Sequence, residues 1–304
     1  MSLCGIPDGL YVVAVSGGVD SMVLLDILAM DPRRAAGQLQ LIVAHYDHGI
    51  RPDSGLDRKL VAEAAKRYGL RFVYDEGHLG VGASEAAARK ARYGFLNMLR
   101  QAAGADAIVT AHHQDDVLET ALINLTRGTH RRGLSSLVST ADVVRPLLGV
   151  PKQELYAYAK ENGIAWREDS SNTDTRYLRN RIRHEIVPRM TAAQREDLLA
   201  LLERSRQNNA AVDDLLEHVL ENLFDAEGLD RAAFKKLPDT VALEVIAAWL
   251  RRNHIREYDA PMLRRITDGV RTLTTGKRID VMRGANLQIG RTHIKLNTDT
   301  LALN

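Results

Sequence analysis

Along the first half of the chain, short strand-like runs alternate with longer stretches in which apolar residues return every three or four positions. Tyr11–Val15, Leu41–Ala44, Arg71–Tyr74 and Ala107–Thr110 are the runs, each of a length that suits a strand in a covered sheet. Between them, Val23, Leu24, Ile27 and Leu28 carry helical spacing. The segment from Asp53 to Tyr68 reads as a helix opened by Ser54, with Asp57 three residues on, and Ser84–Ala102 and Asp116–Thr126 read as two more. This alternation predicts an α/β fold: a parallel sheet with helices on both faces, whose ligands bind beyond the carboxyl ends of the strands. Val143–Leu148 reads as a further short strand, closed by Pro146 and Pro151, and Lys152–Asn162 as a helix stopped by Gly163.

After Pro188 the pattern changes. Ala192–Leu223 and Thr240–Arg252 are helical, and Leu198, Leu201, Leu202, Val212, Leu215 and Leu216 form a stripe that reads as core. Short alternating segments from Gly276 to Leu296, broken by Gly284 and Gly290, predict a small antiparallel sheet. The expected organisation is an α/β domain over 1–190 and a smaller, mainly helical domain over 191–304; a chain of 304 residues suits two cores.

Composition narrows the setting. No apolar run approaches a membrane span. The single cysteine, Cys4, forms no internal disulfide, which fits a reducing cytoplasm, and chemistry that needs two thiols on this chain is excluded. The oligomeric state is open, a homodimer included. Net charge is only +2, but the basic residues cluster: Arg127, His130, Arg131 and Arg132 in one knot, Arg176, Arg179, Arg181, Arg183, His184 and Arg189 in another. Such patches on a near-neutral body hold a polyanion at a chosen place, or are simply solvated loops.

The segment Ser16-Gly17-Gly18-Val19-Asp20-Ser21 lies between a buried strand and a helix. A helix start offers unpaired N–H groups and the positive end of the dipole, and two glycines let phosphate approach the backbone. Ser16 and Ser21 add hydroxyls. Asp20 would repel phosphate unless a cation lies between them, which assigns it to Mg²⁺. No lysine follows the glycines, so transfer of the terminal phosphoryl group is not the expected chemistry. The pattern resembles the pyrophosphate loop of the N-type ATP pyrophosphatases, or PP-loop superfamily. That resemblance implies ATP cleaved between its α- and β-phosphates and AMP passed to an acceptor.

Further segments follow in order: His45-Tyr46-Asp47-His48-Gly49-Ile50-Arg51; Glu85 to Arg89 with Arg92 and Tyr93; Thr110-Ala111-His112-His113-Gln114-Asp115-Asp116 with Glu119; Arg127-Gly128; Arg145-Pro146-Leu147-Leu148; Glu168-Asp169 with Ser171-Asn172; and Arg179-Asn180-Arg181-Ile182-Arg183. Together they resemble the tRNA(Ile)-lysidine synthase family, densely over about 11–190 and weakly beyond. The resemblance implies adenylation of the 2-carbonyl oxygen of the wobble cytidine in an isoleucine tRNA with a CAU anticodon, then attack by free L-lysine. Longer members carry one more C-terminal domain, so the chain is similar to a short form.

Within that frame the residue types suggest roles. Ser16 to Ser21 would hold ATP, with His45 and Asp47 nearby and Asp47 a second candidate for metal or lysine. Arg89 and Arg92, on nearly one helix face, would steady phosphate or the adenylated intermediate. Asp116 and Glu119, three apart, would bind the lysine ammonium and take its proton. Arg127, Arg131, Arg179, Asn180, Arg181 and Arg183 would contact tRNA, and the second domain would help grip it. His112-His113 beside Asp115 and Asp116 also suggests a transition-metal site, but adjacent histidines point to different sides and seldom share an ion. Trp166 and Trp249 read as core anchors rather than base-stacking platforms. Other readings of the same loop are a tRNA thiolase, which would want paired cysteines or a cluster; a glutamine-dependent synthetase, which would want an amide-hydrolysing cysteine; and a nucleotide-gated RNA-binding protein.

Overall fold

The computed structural model describes residues 5–49, 54–77, 80, 85–128, 131–168, 178–255 and 258–298. They form two compact units, one within Met1–Ile123 and Ser136–Glu196, the other within Asn124–Ser135 and Asp197–Asn304. The short stretch Asn124–Ser135 therefore groups with the second unit.

The first unit contains a five-stranded sheet in the order β3-β2-β1-β4-β5, formed by β1 (Gly9–Ala14), β2 (Leu39–Asp47), β3 (Arg71–Glu76), β4 (Ala107–Val109) and β5 (Val143–Val144). Every pairing is parallel. Val12, Val13, Val43, Ile108 and Val109 are fully buried, because helices cover both faces of the central strands. Those helices are α1 (Val19–Ala29), the single turn α2 (Pro32–Ala35), α3 (Ser54–Arg67), α4 (Glu85–Ala103), α5 (Gln114–Thr126) and α6 (Lys152–Glu161). The chain crosses from β1 to β2 on one side and later returns to place β4 on the other. The carboxyl ends of β1 and β4 therefore flank the point where the winding reverses, the usual ligand position in such sheets.

The fifth strand is shorter than Val143–Leu148. Pro146 has no N–H to give a ladder, and Leu147 instead makes an isolated parallel bridge to His113. Beyond it, α7 (Leu178–Arg181) runs into one π-helical turn, Ile182–Ile186, and a 3₁₀ turn, Val187–Arg189.

α1 is apolar nearly all round, and Leu24, Leu25 and Leu28 are fully sealed. Of its two aspartates, Asp26 accepts hydrogen bonds from the Tyr68 hydroxyl just after α3 (2.6 Å) and from the Tyr158 hydroxyl on α6 (2.9 Å). Three helical segments are thus tied at one carboxylate.

The second unit holds α8 (Ala192–Leu223) from Asp197 onward, α9 (Arg231–Lys235), α10 (Asp239–Arg252) and α11 (Ala260–Thr272). Its antiparallel sheet has the order β6-β7-β10-β9-β8: β6 (Phe224–Asp225), β7 (Gly228–Asp230), β8 (Arg278–Met282), β9 (Ala285–Ile289) and β10 (His293–Thr298). The β6–β7 hairpin is too short to stand out in the sequence, whereas α11 carries Leu263, Ile266 and Val270 at helical spacing. The leucine stripe on α8 splits: Leu202 and Leu216 are buried, while Leu201 and Leu215, one position earlier, are 50% and 69% exposed. One residue turns a helix by about 100°, enough to move a side chain from core to solvent. Trp249 is buried against Phe224, and Trp166 packs edge-on to Tyr156, both as packing residues. Among the described residues, no helix is long and apolar enough to cross a membrane.

The tyrosine pair gives a pH signature. Burial first, and the Asp26 hydrogen bond and charge next, push both hydroxyls up to about 12. A phenol with a folded pKa above its unfolded value of about 10 contributes fully below pH ~10 and loses that contribution as pH rises through the folded value. The free energy of unfolding, measured by urea denaturation, is expected to fall between pH 10 and 12, and the Tyr68→Phe/Tyr158→Phe double variant to flatten that fall.

Candidate nucleotide and amine site

Val15 leads from β1 into the turn Ser16–Gly17–Gly18, and α1 begins at Val19. Gly17 has φ of 96°, where a side chain is strained, and a Cβ there would lie 3.2 Å from that of Asp57. The serines close the turn on itself. Gly18 N–H donates to Ser16 Oγ (3.3 Å) and Ser16 N–H to Ser21 Oγ (3.1 Å). The Ser21 hydroxyl donates to the Gly18 carbonyl (3.0 Å), which leaves the Ser16 hydroxyl as donor in the 3.1 Å contact between the two. Arg167 braces the turn, its N–H donating to the Gly17 carbonyl (3.0 Å) and its Nε to Asp57 (2.7 Å). The N-cap, Gly18, offers no side-chain cap, so the positive end of α1 faces the mouth of the sheet.

A cleft of about 400 Å³ opens there, within the range of small-molecule sites. Ser16, Asp20, Ser21, His45, Tyr46, Asp47, Arg92, Thr110, His112 and Arg183 contribute to its walls. His45 is buried with Nδ1 2.8 Å from the Val15 carbonyl, so Nδ1 carries the proton and donates. Burial lowers its pKa and keeps the ring neutral. Asp47 accepts the Gly49 N–H (2.8 Å). Burial pushes its carboxyl up, but that bond and one from Ser54 outweigh burial and hold it below the ordinary value. His112, 2.8 Å from the Thr110 hydroxyl, is brought down to about 4 by burial, with Asp116 opposing and Arg145, Arg89 and Arg92 assisting. Arg89 and Arg92 both lie over the Tyr93 ring, at 4.7 and 5.6 Å, and Arg92 reaches the cleft wall.

Charge alternates across the strand ends. His113 Nε2 lies 3.5 Å from both Asp20 and Asp116, and its backbone N–H donates to Asp116 (2.9 Å). Arg183 donates to both oxygens of Glu119 (2.7 Å each) and to Asp116 (3.3 Å). Glu119 is only 2% exposed, and burial raises its pKa against the pull of Arg183. For Asp20, burial acts upward, but His113, Lys152 and Arg183 prevail and its pKa is lowered. Burial disfavours protonated His113, yet Asp20 and Asp116 prevail and its pKa is raised.

Known proteins are similar to this chain in sequence. A family model described as a PP-loop domain matches residues 7–190. A tRNA(Ile)-lysidine synthase of Geobacter sulfurreducens is 39% identical over 228 residues, 70% of this chain and 48% of that protein. One from Methylococcus capsulatus is 34% identical over 311 residues, 96% of this chain and 68% of that protein. The chain belongs to the tRNA(Ile)-lysidine synthase family. It spans about half the length of the first relative and about two thirds of the second. Among solved structures, a U34-tRNA thiolase from Methanococcus maripaludis aligns with a TM-score of 0.51 at 15% identity, over 66% of this chain and 73% of that one, a likeness of fold.

Against the lysidine-synthase resemblance, the structure gathers Ser16 to Ser21, His45, Asp47, Arg92, Asp116, Glu119 and Arg183 around the carboxyl ends of the strands. It gives two arginines other company than RNA. Arg183 is engaged by Glu119 and Asp116, and Arg131 by Asp213 (2.6 Å), Glu244 (2.9 Å) and Asn209 (3.1 Å) within the second unit. Basic spacing alone did not reveal these partners, because the carboxylates come from distant segments. Arg127 and Arg181 are exposed, and Arg179 lies 3.8 Å from Glu119 with Asn180 beside it in α7. His112 and His113 make separate contacts, and no group of three or more His, Cys, Asp or Glu among the described residues is arranged to hold a metal. Cys4, Ile50, Arg51, Asp53, Ser84, His130, Asp169, Ser171, Asn172, Arg176 and Arg256 lie outside the described residues. Three residues gained a place here that their sequence neighbourhood did not signal: Asp57 and Arg167 beneath the turn, and Lys152, whose ammonium lies 3.7 Å from Asp20.

Removing Arg183 would strand a buried carboxylate, a change that costs about 3–5 kcal/mol in comparable buried pairs. Arg183→Met is expected to lower the unfolding free energy by about that much in urea, and Glu119→Gln/Arg183→Met to recover part of it.

Proposed function

We propose that this chain uses ATP to join free L-lysine to the 2-carbon of the wobble cytidine in the CAU anticodon of an isoleucine tRNA, acting in the cytoplasm. The observation that carries the reading is the closed serine–glycine turn opening on a cleft whose wall includes Arg183, itself held by the α5 carboxylates Asp116 and Glu119, in a chain 34% identical over 96% of its length to a tRNA(Ile)-lysidine synthase. The cytidine O2 attacks the α-phosphorus, the bond to the β-phosphate oxygen breaks, and pyrophosphate leaves. The lysine amino group then attacks C2, gives up a proton, and the C2–O bond breaks to release AMP.

A carbonyl oxygen is a poor nucleophile, so positioning and charge must supply most of the help. The turn and the start of α1 would bind the triphosphate. Arg92, at the cleft wall, would meet the charge on the adenylated intermediate, with Arg89 beside it. Asp116 would hold the lysine ammonium and accept its proton, while Glu119, held at both oxygens, would keep Arg183 in place. Asp20 fits Mg²⁺: its Oδ1 is buried without a hydrogen-bond partner, and Mg²⁺ is commonly held by one or two carboxylates together with phosphate oxygens. Bound there, the ion would supply charge neutralisation for pyrophosphate. Arg127, Arg179, Asn180 and Arg181, with the domain over 191–304, would grip the RNA.

Incubation with ATP, Mg²⁺, labelled lysine and bulk tRNA is expected to give acid-stable, lysine-dependent label on RNA; dependence on sulfur or ammonia, or no AMP, would overturn the reading. Asp20→Ala is expected to cut lysine-independent pyrophosphate exchange by about 100-fold or more, whereas Asp116→Ala should spare exchange and lose lysine transfer. Arg181→Ala should weaken tRNA binding and reduce its salt slope by roughly one contact; an unchanged slope would remove Arg181 from the interface.

A further inference from the structure

The turn carries two glycines and an aspartate but no lysine, so the turn itself supplies no cation for the outer phosphates. The fold brings one from 132 residues away. Lys152 Nζ lies 3.7 Å from Asp20 Oδ2, and Tyr158 Oη lies 2.9 Å from Asp26 Oδ2. Both contacts join positions 132 apart in sequence, and within each helix they are six residues apart. α1 and α6 therefore lie side by side, parallel and in register, with both amino-terminal ends at the mouth of the sheet. Six residues along a helix span about 9 Å, so the Tyr158–Asp26 bond fixes the register from below and the Lys152–Asp20 contact reports it at the top.

The backbone around Lys152 is pinned as well. Its N–H reaches Asp115 Oδ1 at 3.4 Å, at the start of α5, and Pro151 is the N-cap of α6. The side chain keeps about a third of its surface exposed, and it approaches the Tyr156 ring at 5.8 Å. A four-carbon stem with a compact ammonium can swing from a carboxylate to a phosphate without moving the helix.

We propose that Lys152 binds the β- and γ-phosphates of ATP and stabilises the departing pyrophosphate, taking the place of the lysine that other phosphate loops carry in their own sequence. This rests on the reading that the turn takes ATP. Before nucleotide arrives, Asp20 holds the ammonium; once the triphosphate is bound, Lys152 turns to its outer oxygens. When cytidine O2 attacks the α-phosphorus and the electron pair of the breaking bond passes to the β-phosphate oxygen, the growing negative charge meets a fixed positive one.

The test compares equilibrium binding of AMP and of α,β-methylene-ATP, each with Mg²⁺, by calorimetry on the intact chain. Lys152→Met is expected to weaken α,β-methylene-ATP at least tenfold while changing AMP less than twofold, and Lys152→Arg to restore most of the difference. The rate of pyrophosphate exchange should fall with Lys152→Met, with tRNA affinity unchanged. Equal weakening of both nucleotides, or of neither, would overturn the assignment of Lys152 while leaving ATP use by the chain in place. Failure of the wild-type chain to bind either nucleotide would instead overturn the underlying reading of the turn, and this one with it.

Discussion

Opposite charges have to alternate across the end of a buried parallel sheet, and the site is organised by that requirement. Lys152, Asp20, His113, Asp116, Arg183 and Glu119 are contributed by five segments. Each charge has an opposite neighbour, so none is left buried alone, a condition that would cost several kilocalories per mole. The arrangement has a second effect. The carboxylates near the proposed phosphate and amine positions have known partners already, and a ligand can enter by exchanging one cation for another.

The fold was readable because its signals are local. Strand runs such as Val12–Val13 and Ile108–Val109, and the helical spacing of Val23, Leu24, Ile27 and Leu28, reflect burial that each segment must satisfy by itself. The turn at Ser16–Ser21 was readable for the same reason, since the serine hydrogen bonds that close it lie within six residues, although the brace from Arg167 was not. The charge network was not. The spacing of Glu119 from Asp116 is visible in the sequence, but its pairing through both oxygens with Arg183, 64 residues along the chain, is not. Lys152 looked like the first residue of a helix and nothing more. Such pairings depend on which strand ends are neighbours, and the order β3-β2-β1-β4-β5 is a property of the whole sheet.

The second unit shows the same physics. Asp213 on α8 is approached by Arg131, Arg132 and Arg251; burial pushes its carboxyl up, but Arg132 and Arg131 prevail and hold it below the ordinary value. Basic density in a sequence therefore overstates the charge available to a polyanion, because part of it is spent within the unit. Arg231 makes the point again: it is buried, and its guanidinium donates to the carbonyls of Val270, Gly290 and Leu273.

The π-helical turn at Ile182–Ile186 bears on how the family can vary in length. A π turn is an α-helix that has absorbed one surplus residue. Arg183 sits inside that surplus, with Ile182 buried on one side and Glu119 on the other. Shortening the segment by one residue would restore regular winding and swing the following side chains by about 100° around the axis. The guanidinium would then leave its carboxylate. Natural deletions should consequently be tolerated far less in these five residues than in the exposed turns of the same unit.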